Sequence, residues 1–249
     1  MDSRRVALIS GAGRGIGAAI AKQFASENYD LMLVSRTESE LQAVKQSIIR
    51  SHQVNVELMA CDLKQQQNCE AIVVDTKLKL GGIDVLVNCA GIIKREPTVE
   101  HSISDWDTVM STNVRSAFLL SKLAIQEMLQ QTGGGSIINI SSQMAVMPHL
   151  GASPSYESSK AAMEALTRHL AAEYAEKNIR VNTVSPGSIE TSLSKNMNKH
   201  QWNKICSQIP MGRLGKTTEV ANAVSFLASE RASYITGNNI YVAGGSVMH

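Results

Sequence analysis

Short continuous apolar runs alternate along this chain with longer segments whose apolar residues recur at helical spacing. Val6 to Ile9 is the first such run, and Ile16, Ile20 and Phe24 follow it with the periodicity of a helix packed on one face. The pattern predicts strands at 5–10, 30–35, 54–60, 83–88, 135–140, 179–185 and 239–243. It predicts helices at 15–27, 37–51, 65–80, 104–130, 153–176 and 216–229, the second buried along Leu41, Val44 and Ile48. Such alternation implies right-handed crossovers and a parallel sheet covered on both faces, an α/β doubly wound architecture. At 249 residues a single domain, 1–249, accounts for the whole chain. Gly133-Gly134-Gly135 reads as a helix stop and turn.

Chemistry gathers where predicted strands end. Gly11, Gly15 and Gly17 lie between the first strand and first helix in the spacing G-x-x-x-G-x-G, rather than the commoner G-x-G-x-x-G. Glycines there let the backbone approach a ligand closely, and the helix N-terminus beyond them offers N–H groups to a pyrophosphate. The expectation is a dinucleotide-binding turn. An NAD site wants an acidic side chain about twenty residues later, on the ribose hydroxyls. Here the second strand ends Leu33-Val34-Ser35-Arg36-Thr37, with no acid. Arg36 suits a 2′-phosphate, Ser35 leaves room for it, and Arg14 adds a second cation, so NADP(H) is the expected cofactor.

Tyr156 and Lys160 are four residues apart in a predicted helix and so share a face, with Ser142 shortly before them. A free phenol has a pKa of about 10, and a neighbouring ammonium is expected to lower it, giving a general acid/base.

The remaining composition mainly excludes alternatives. A net charge of +2 and 4% aromatic residues give neither a basic patch nor a stacking platform for nucleic acid. The four cysteines lack a C-x-x-C and the six histidines lack paired-ligand spacing, so reduced thiols and no metal are expected. No apolar run approaches membrane-spanning length, and the first residues lead straight into a strand. A cytoplasmic protein without a membrane anchor is the resulting expectation.

On these residues the chain resembles the short-chain dehydrogenase/reductase family, with its Rossmann-type single domain. Gly11, Gly15 and Gly17, with Ser10 before them, resemble the family's cofactor turn. Asp62-Leu63 resembles its adenine-side position, and Asn88-Cys89-Ala90-Gly91 its Asn-Asn-Ala-Gly element with Cys89 in place of the second Asn. Asn113, Ser142, Tyr156 and Lys160 match the catalytic tetrad, and Pro186-Gly187 with Thr191 the nicotinamide loop. Ser142 and Tyr156 stand one residue further apart than is usual, and Ala243-Gly244-Gly245 replaces Asp-Gly-Gly.

The resemblance implies seven strands in the order 3-2-1-4-5-6-7. It also implies hydride transfer between nicotinamide and a carbonyl or secondary alcohol, with Tyr156 as acid/base. Ser142 would bond the substrate oxygen, Lys160 the nicotinamide ribose, and Asn113 would hold a water leading from Lys160 to solvent. The cofactor set is then Gly11, Arg14, Gly15, Ile16, Gly17, Ser35, Arg36, Asp62, Leu63, Asn88, Ala90, Gly91, Tyr156, Lys160, Pro186, Gly187, Ile189 and Thr191. Substrate candidates include Lys94, Arg95, Gln143, His149, Leu150, Ser188, Leu193 and Trp202, with 188–212 as a lid. The substrate is a 3-oxoacyl thioester on an acyl carrier or a keto-sugar or keto acid, since the chain resembles both kinds of enzyme. A homotetramer built on 104–130, 153–176 and the C-terminal strand is also implied. The alternative is an NADP(H)-binding regulator or scaffold without turnover.

Overall fold

β1 (Val6–Ser10) is buried along its whole length, which is why it reads as continuous apolar sequence rather than as an alternation. Its neighbours are β2 (Asp30–Ser35), β3 (Val56–Ala60), β4 (Val85–Asn88), β5 (Gly135–Ile140), β6 (Ile179–Pro186) and β7 (Asn239–Val242). In the computed structural model, which describes residues 4–149, 151–191 and 198–248, these form one sheet in the order 3-2-1-4-5-6-7. Every pairing is parallel, as the alternation of strands and helices requires.

The connections are α1 (Gly15–Ser26), α2 (Glu38–Ile49), α3 (Gln66–Leu80), α4 (Ile103–Met110), α5 (Ser116–Met128), α6 (Pro154–Tyr174), α7 (Lys199–Cys206) and α8 (Thr217–Ala228). They cover the sheet on two sides. Ala7, Ile9, Leu31 and Leu33 point into one apolar cluster with Ile20, Phe24, Leu41 and Val224 of α1, α2 and α8. Leu8, Met32 and Val34, one residue out of phase, enter the other with Ile72, Leu120 and Leu170 of α3, α5 and α6.

Two departures from the periodicity matter for the site. The helix expected at 104–130 is interrupted by one π-type turn, Ser111–Arg115, that carries Asn113. The stretch expected to be a lid includes α7, whose start is held by reciprocal capping between Asn198 and Gln201. Residues 192–197 of that stretch lie outside the described residues.

A polar row crosses the sheet. Ser10, Asn88, Asn139, Thr183 and Asn239 stand side by side in register on five adjacent strands. Asn88 Nδ2 donates to Asn139 Oδ1 at 2.9 Å and Ser121 Oγ at 3.1 Å. Asn139 Nδ2 in turn donates to Thr167 Oγ1 at 2.8 Å, which also accepts from Thr183 Oγ1 at 2.8 Å.

Candidate active site

A cleft of ≈ 580 Å³ opens beyond the carboxyl ends of the strands, at the point where sheet order reverses between β1 and β4. Its floor at one end is the glycine turn. Gly11 has φ +71°, and a Cβ there would stand 2.7 Å from the Ala90 nitrogen. A Cβ on Gly17 would collide with the Gly11 carbonyl oxygen. Both positions therefore demand glycine, so that the turn lies flat against the β4 loop. α1 begins there with no side-chain cap and no acid in its first turn, leaving N–H groups open to an anion.

Beyond the glycine turn, on the β2 and β3 side, the cleft is lined by Ser35, Arg36, Thr37, Glu40, Asp62 and Leu63, the end expected to take the adenosine. Ser35 Oγ accepts from the Thr37 N–H at 3.3 Å and fixes the bend after β2. Arg14 pairs with Glu40 at 3.6 Å while its own side chain stays 73% exposed, so it is available to a phosphate. Asp62 accepts from the Lys64 N–H at 3.0 Å and pairs with the Lys64 ammonium at 3.5 Å. Glu40 was not among the sequence candidates. Its place in the first turn of α2, four residues past Arg36, is the signal that would have found it.

At the other end α6 presents Tyr156 and Lys160. Ser153 is buried and begins the helix, with Pro154 in its first turn, so the start of α6 is fixed just before the tyrosine. The Lys160 ammonium lies 5.7 Å from the Tyr156 ring centroid and donates to the Ile140 carbonyl at 2.8 Å. Burial lowers its pKa from 10.5 to about 8. Burial raises the Tyr156 phenol above 10, an effect opposed by a hydrogen bond with Ser142 and then by the charge of Arg95. The expectation that Lys160 dominates and lowers the tyrosine is thus reversed here: desolvation wins, and the phenol keeps its proton. Cys89, beside Lys160, is likewise pushed up to about 11 by burial, which makes it a poor nucleophile.

Asn113 is 1% exposed and sits behind the cleft. Its Oδ1 accepts from the Ile92 N–H at 2.8 Å, and its Nδ2 donates to the Ile92 carbonyl at 3.0 Å and Ser159 Oγ at 2.9 Å. It ties the β4 loop to α6.

The cleft brings together Gly11, Arg14, Ile16, Gly17, Ser35, Arg36, Asp62, Leu63, Ala90, Gly91, Ser142, Tyr156, Lys160, Pro186, Gly187, Ile189 and Thr191. Arg95, Gln143, His149 and Ser188 line it as well. Asn113 lies buried behind it without lining it, and Gly15 lines a separate groove instead. Three expectations need correction. Asn88 turns its amide into the polar row, toward Ser121 and Asn139, and is not in the cleft wall. Lys94 is held away by Asp105 at 2.6 Å. Trp202, on α7, lines a separate groove with Gly15, Lys22 and Thr218. Leu150 and Leu193 lie outside the described residues.

Among the described residues no cluster suits a metal ion, the four cysteines are free, and no helix is long and apolar enough to cross a membrane.

Comparison with known proteins agrees with this geometry. A family model described as Enoyl-(Acyl carrier protein) reductase matches residues 11–247. The 3-oxoacyl-[acyl-carrier-protein] reductase FabG of Vibrio cholerae is 37% identical, over 98% of both chains. Among solved structures, L-sorbose reductase from Gluconobacter frateurii, complexed with NADPH and L-sorbose, superposes with a TM-score of 0.93 at 33% identity. That match covers 99% of this chain and 98% of the other. A putative gluconate dehydrogenase from Agrobacterium tumefaciens gives 0.92 at 29% identity, with the same coverage. Matches of this length leave no segment of the fold to another lineage, and the chain belongs to the short-chain dehydrogenase/reductase family of oxidoreductases.

Proposed function

We propose that this protein reduces a carbonyl to a secondary alcohol at the expense of NADPH, with Tyr156 as the proton donor. The single observation that carries the reading is that Tyr156, hydrogen-bonded to Ser142, shares one cleft with Lys160 and the glycine turn. The cradle fits the cofactor. A Cβ at Gly11 or Gly17 would strike backbone, the end of β2 offers Arg36 and Ser35 in place of an acid, and Arg14 stands exposed beside them.

When bound, NADPH supplies the hydride that goes to the carbonyl carbon. The protein handles the proton and the geometry. Ser142 donates a hydrogen bond to the carbonyl oxygen, where negative charge grows during transfer. Tyr156 delivers its phenolic proton to that oxygen, so the products are the alcohol and a tyrosinate that must be reprotonated. The Lys160 ammonium lies near enough to favour that tyrosinate and to meet the nicotinamide ribose. Asn113 holds the β4 loop against Ser159, one residue before Lys160. Asp62 and Leu63 would hold the adenine side of the cofactor, and Ile189 and Thr191 its nicotinamide side.

Both resemblances carried by the sequence bear on the substrate: the Vibrio relative favours an acyl-carrier thioester, and the L-sorbose reductase a polyhydroxylated carbonyl. Exposed Ile103 and Phe118 on α4 and α5 favour assembly as a homo-oligomer, and a cytoplasmic enzyme is the reading we retain. The test is the loss of reduced-nicotinamide absorbance with NADPH, and separately NADH, against a panel of keto acids, ketoses and 3-oxoacyl thioesters. Turnover with NADPH supports the proposal. Tight NADPH binding without turnover on any member would favour a regulator and contradict it.

A further inference from the structure

α6 carries a third polar residue on the face that holds Tyr156 and Lys160. Glu164 follows Lys160 by four residues, as Lys160 follows Tyr156, so the three stand in one row along the helix. Tyr156 and Lys160 line the cleft, whereas Glu164 is buried outside its wall, and the reduction described above gives it no task. Burying a carboxyl group is costly unless it is hydrogen-bonded, and its neighbours on α6, Met163 and Leu170, show that apolar residues also pack this helix. The position of Glu164 therefore calls for a reason.

The reason lies in what it touches. Glu164 Oε1 accepts from Ser141 Oγ and Ser185 Oγ, each at 3.1 Å, and from Asn239 Nδ2 at 2.9 Å. One oxygen thus joins α6 to the residue after β5, to β6 and to β7. The Ser141 hydroxyl also lies 3.0 Å from the Lys160 carbonyl oxygen, so its proton is shared between two acceptors one turn apart on α6. The Ser141 N–H donates to the Val184 carbonyl at 2.9 Å, which ties its backbone to β6 while its side chain is tied to α6. The next residue is Ser142, which lines the cleft and is hydrogen-bonded to Tyr156. The pattern recurs on β6, where Ser185 bonds Glu164 and the next two residues, Pro186 and Gly187, line the cleft. In both cases a buried serine bonded to Glu164 is followed by a residue of the reacting end.

We propose that Glu164 is a positioning residue for the reduction: acting through Ser141, its carboxylate holds Ser142 against Tyr156, and acting through Ser185 it sets the loop that opens with Pro186 and Gly187. The assignment rests on the reductase reading and leaves its chemistry unchanged, with hydride to the carbonyl carbon and the Tyr156 proton to its oxygen. Because Glu164 acts from outside the cleft wall, its loss should lower the rate more than binding. A misplacement of about 1 Å in a group that orients the reacting carbonyl is enough to lower the rate about 100-fold.

The experiment measures NADPH Kd by fluorescence titration, and kcat and KM by steady-state kinetics, on the full chain. Three carbonyl probes are used, L-sorbose, a keto-aldonic acid and the acetoacetyl thioester of N-acetylcysteamine, and the variants are compared on the one the parent turns over fastest. Glu164→Leu should lower kcat about 10–100-fold with NADPH Kd and substrate KM within about threefold of the parent. Glu164→Gln keeps an acceptor oxygen at the same place and should recover most of that loss. Ser141→Ala should lower kcat about 3–10-fold by itself, and only within about threefold when added to Glu164→Leu, because the two remove one interaction. Full additivity, a Gln variant as impaired as the Leu variant, or losses of kcat that only match losses of NADPH affinity would overturn the proposal and leave Glu164 a staple of the fold. If Glu164→Leu does not fold, Ser141→Ala decides: an unchanged kcat overturns the proposal, and a lowered kcat at unchanged NADPH Kd supports it. Parent turnover that these variants leave intact sinks this inference alone. Absence of NADPH turnover by the parent on all three probes sinks the reductase reading with it.

Discussion

The two ends of the cleft are built from different materials. The adenosine end rests on β1 and β2, whose interior is apolar on both faces, and on a glycine turn that contributes backbone alone. The carbonyl end rests on β4 to β7, where the row from Asn88 to Asn239 and the buried Glu164 cross-link strands through side chains. Glu164 Oε1 accepts from Ser141 Oγ and Ser185 Oγ at 3.1 Å and from Asn239 Nδ2 at 2.9 Å. Ser141 precedes Ser142, and Ser185 precedes Pro186 and Gly187. The network thus braces the segments that must hold a reacting carbonyl, while the apolar end has only to shape a binding surface. Precise placement is obtained from directional bonds, and affinity from backbone shape.

This contrast can be broken at several points. The largest effect is expected at Lys160. Lys160→Met should reduce kcat/KM by about 10²–10⁴-fold, the range of a general acid–base contribution. The same substitution should stabilise the cofactor-free protein. Lys160 titrates at about 8 in the fold against an ordinary 10.5. Between those values the unfolded chain binds more protons, so stability rises with pH, and below about 8 the full burial cost is present. At neutral pH the variant should therefore gain up to about 3 kcal/mol in denaturant unfolding, with the pH-dependent rise above pH 8 reduced. A destabilised variant with the rise intact would show that burial is not what lowers this lysine.

Next is the polar row. Asn139→Leu removes the link between Asn88 and Thr167 and leaves both amide and hydroxyl buried. A loss of about 2–4 kcal/mol is expected, with kcat falling more than NADPH affinity. Equal losses in both would erase the proposed difference between the ends. Smaller still is Arg36→Ala, which should raise KM for NADPH about 10-fold and leave that for NADH nearly unchanged. Parallel changes with both cofactors would contradict the assignment of Arg36 to the 2′-phosphate.

The same division governs what is legible in the sequence. The glycine turn, the absent acid after β2 and the Tyr156–Lys160 pair are legible because each depends on residue type at short spacing. Strand order is accessible through resemblance. Which of Lys94 and Arg95 faces the cleft is not, since it depends on Asp105 eleven residues after Lys94 and on the loop's contact with Gly151. Asn88 misleads because strand alternation, and not its neighbourhood in sequence, sends its side chain into the polar row. The π-type turn at Asn113 has no periodic signature. The direction of the Tyr156 shift also escapes, because an i, i+4 lysine is visible in sequence whereas desolvation is a property of the assembled cleft.

The central claim is that Tyr156 is the proton donor and not a binding residue. Tyr156→Phe, which keeps the ring and removes the hydroxyl, tests it when NADPH affinity and NADPH-dependent carbonyl turnover are measured on the same preparation. The account predicts a fall in kcat of about 10²–10⁴-fold with NADPH Kd within about threefold of the parent. A variant that retains most of its turnover, or loses turnover only in proportion to NADPH binding, would contradict it.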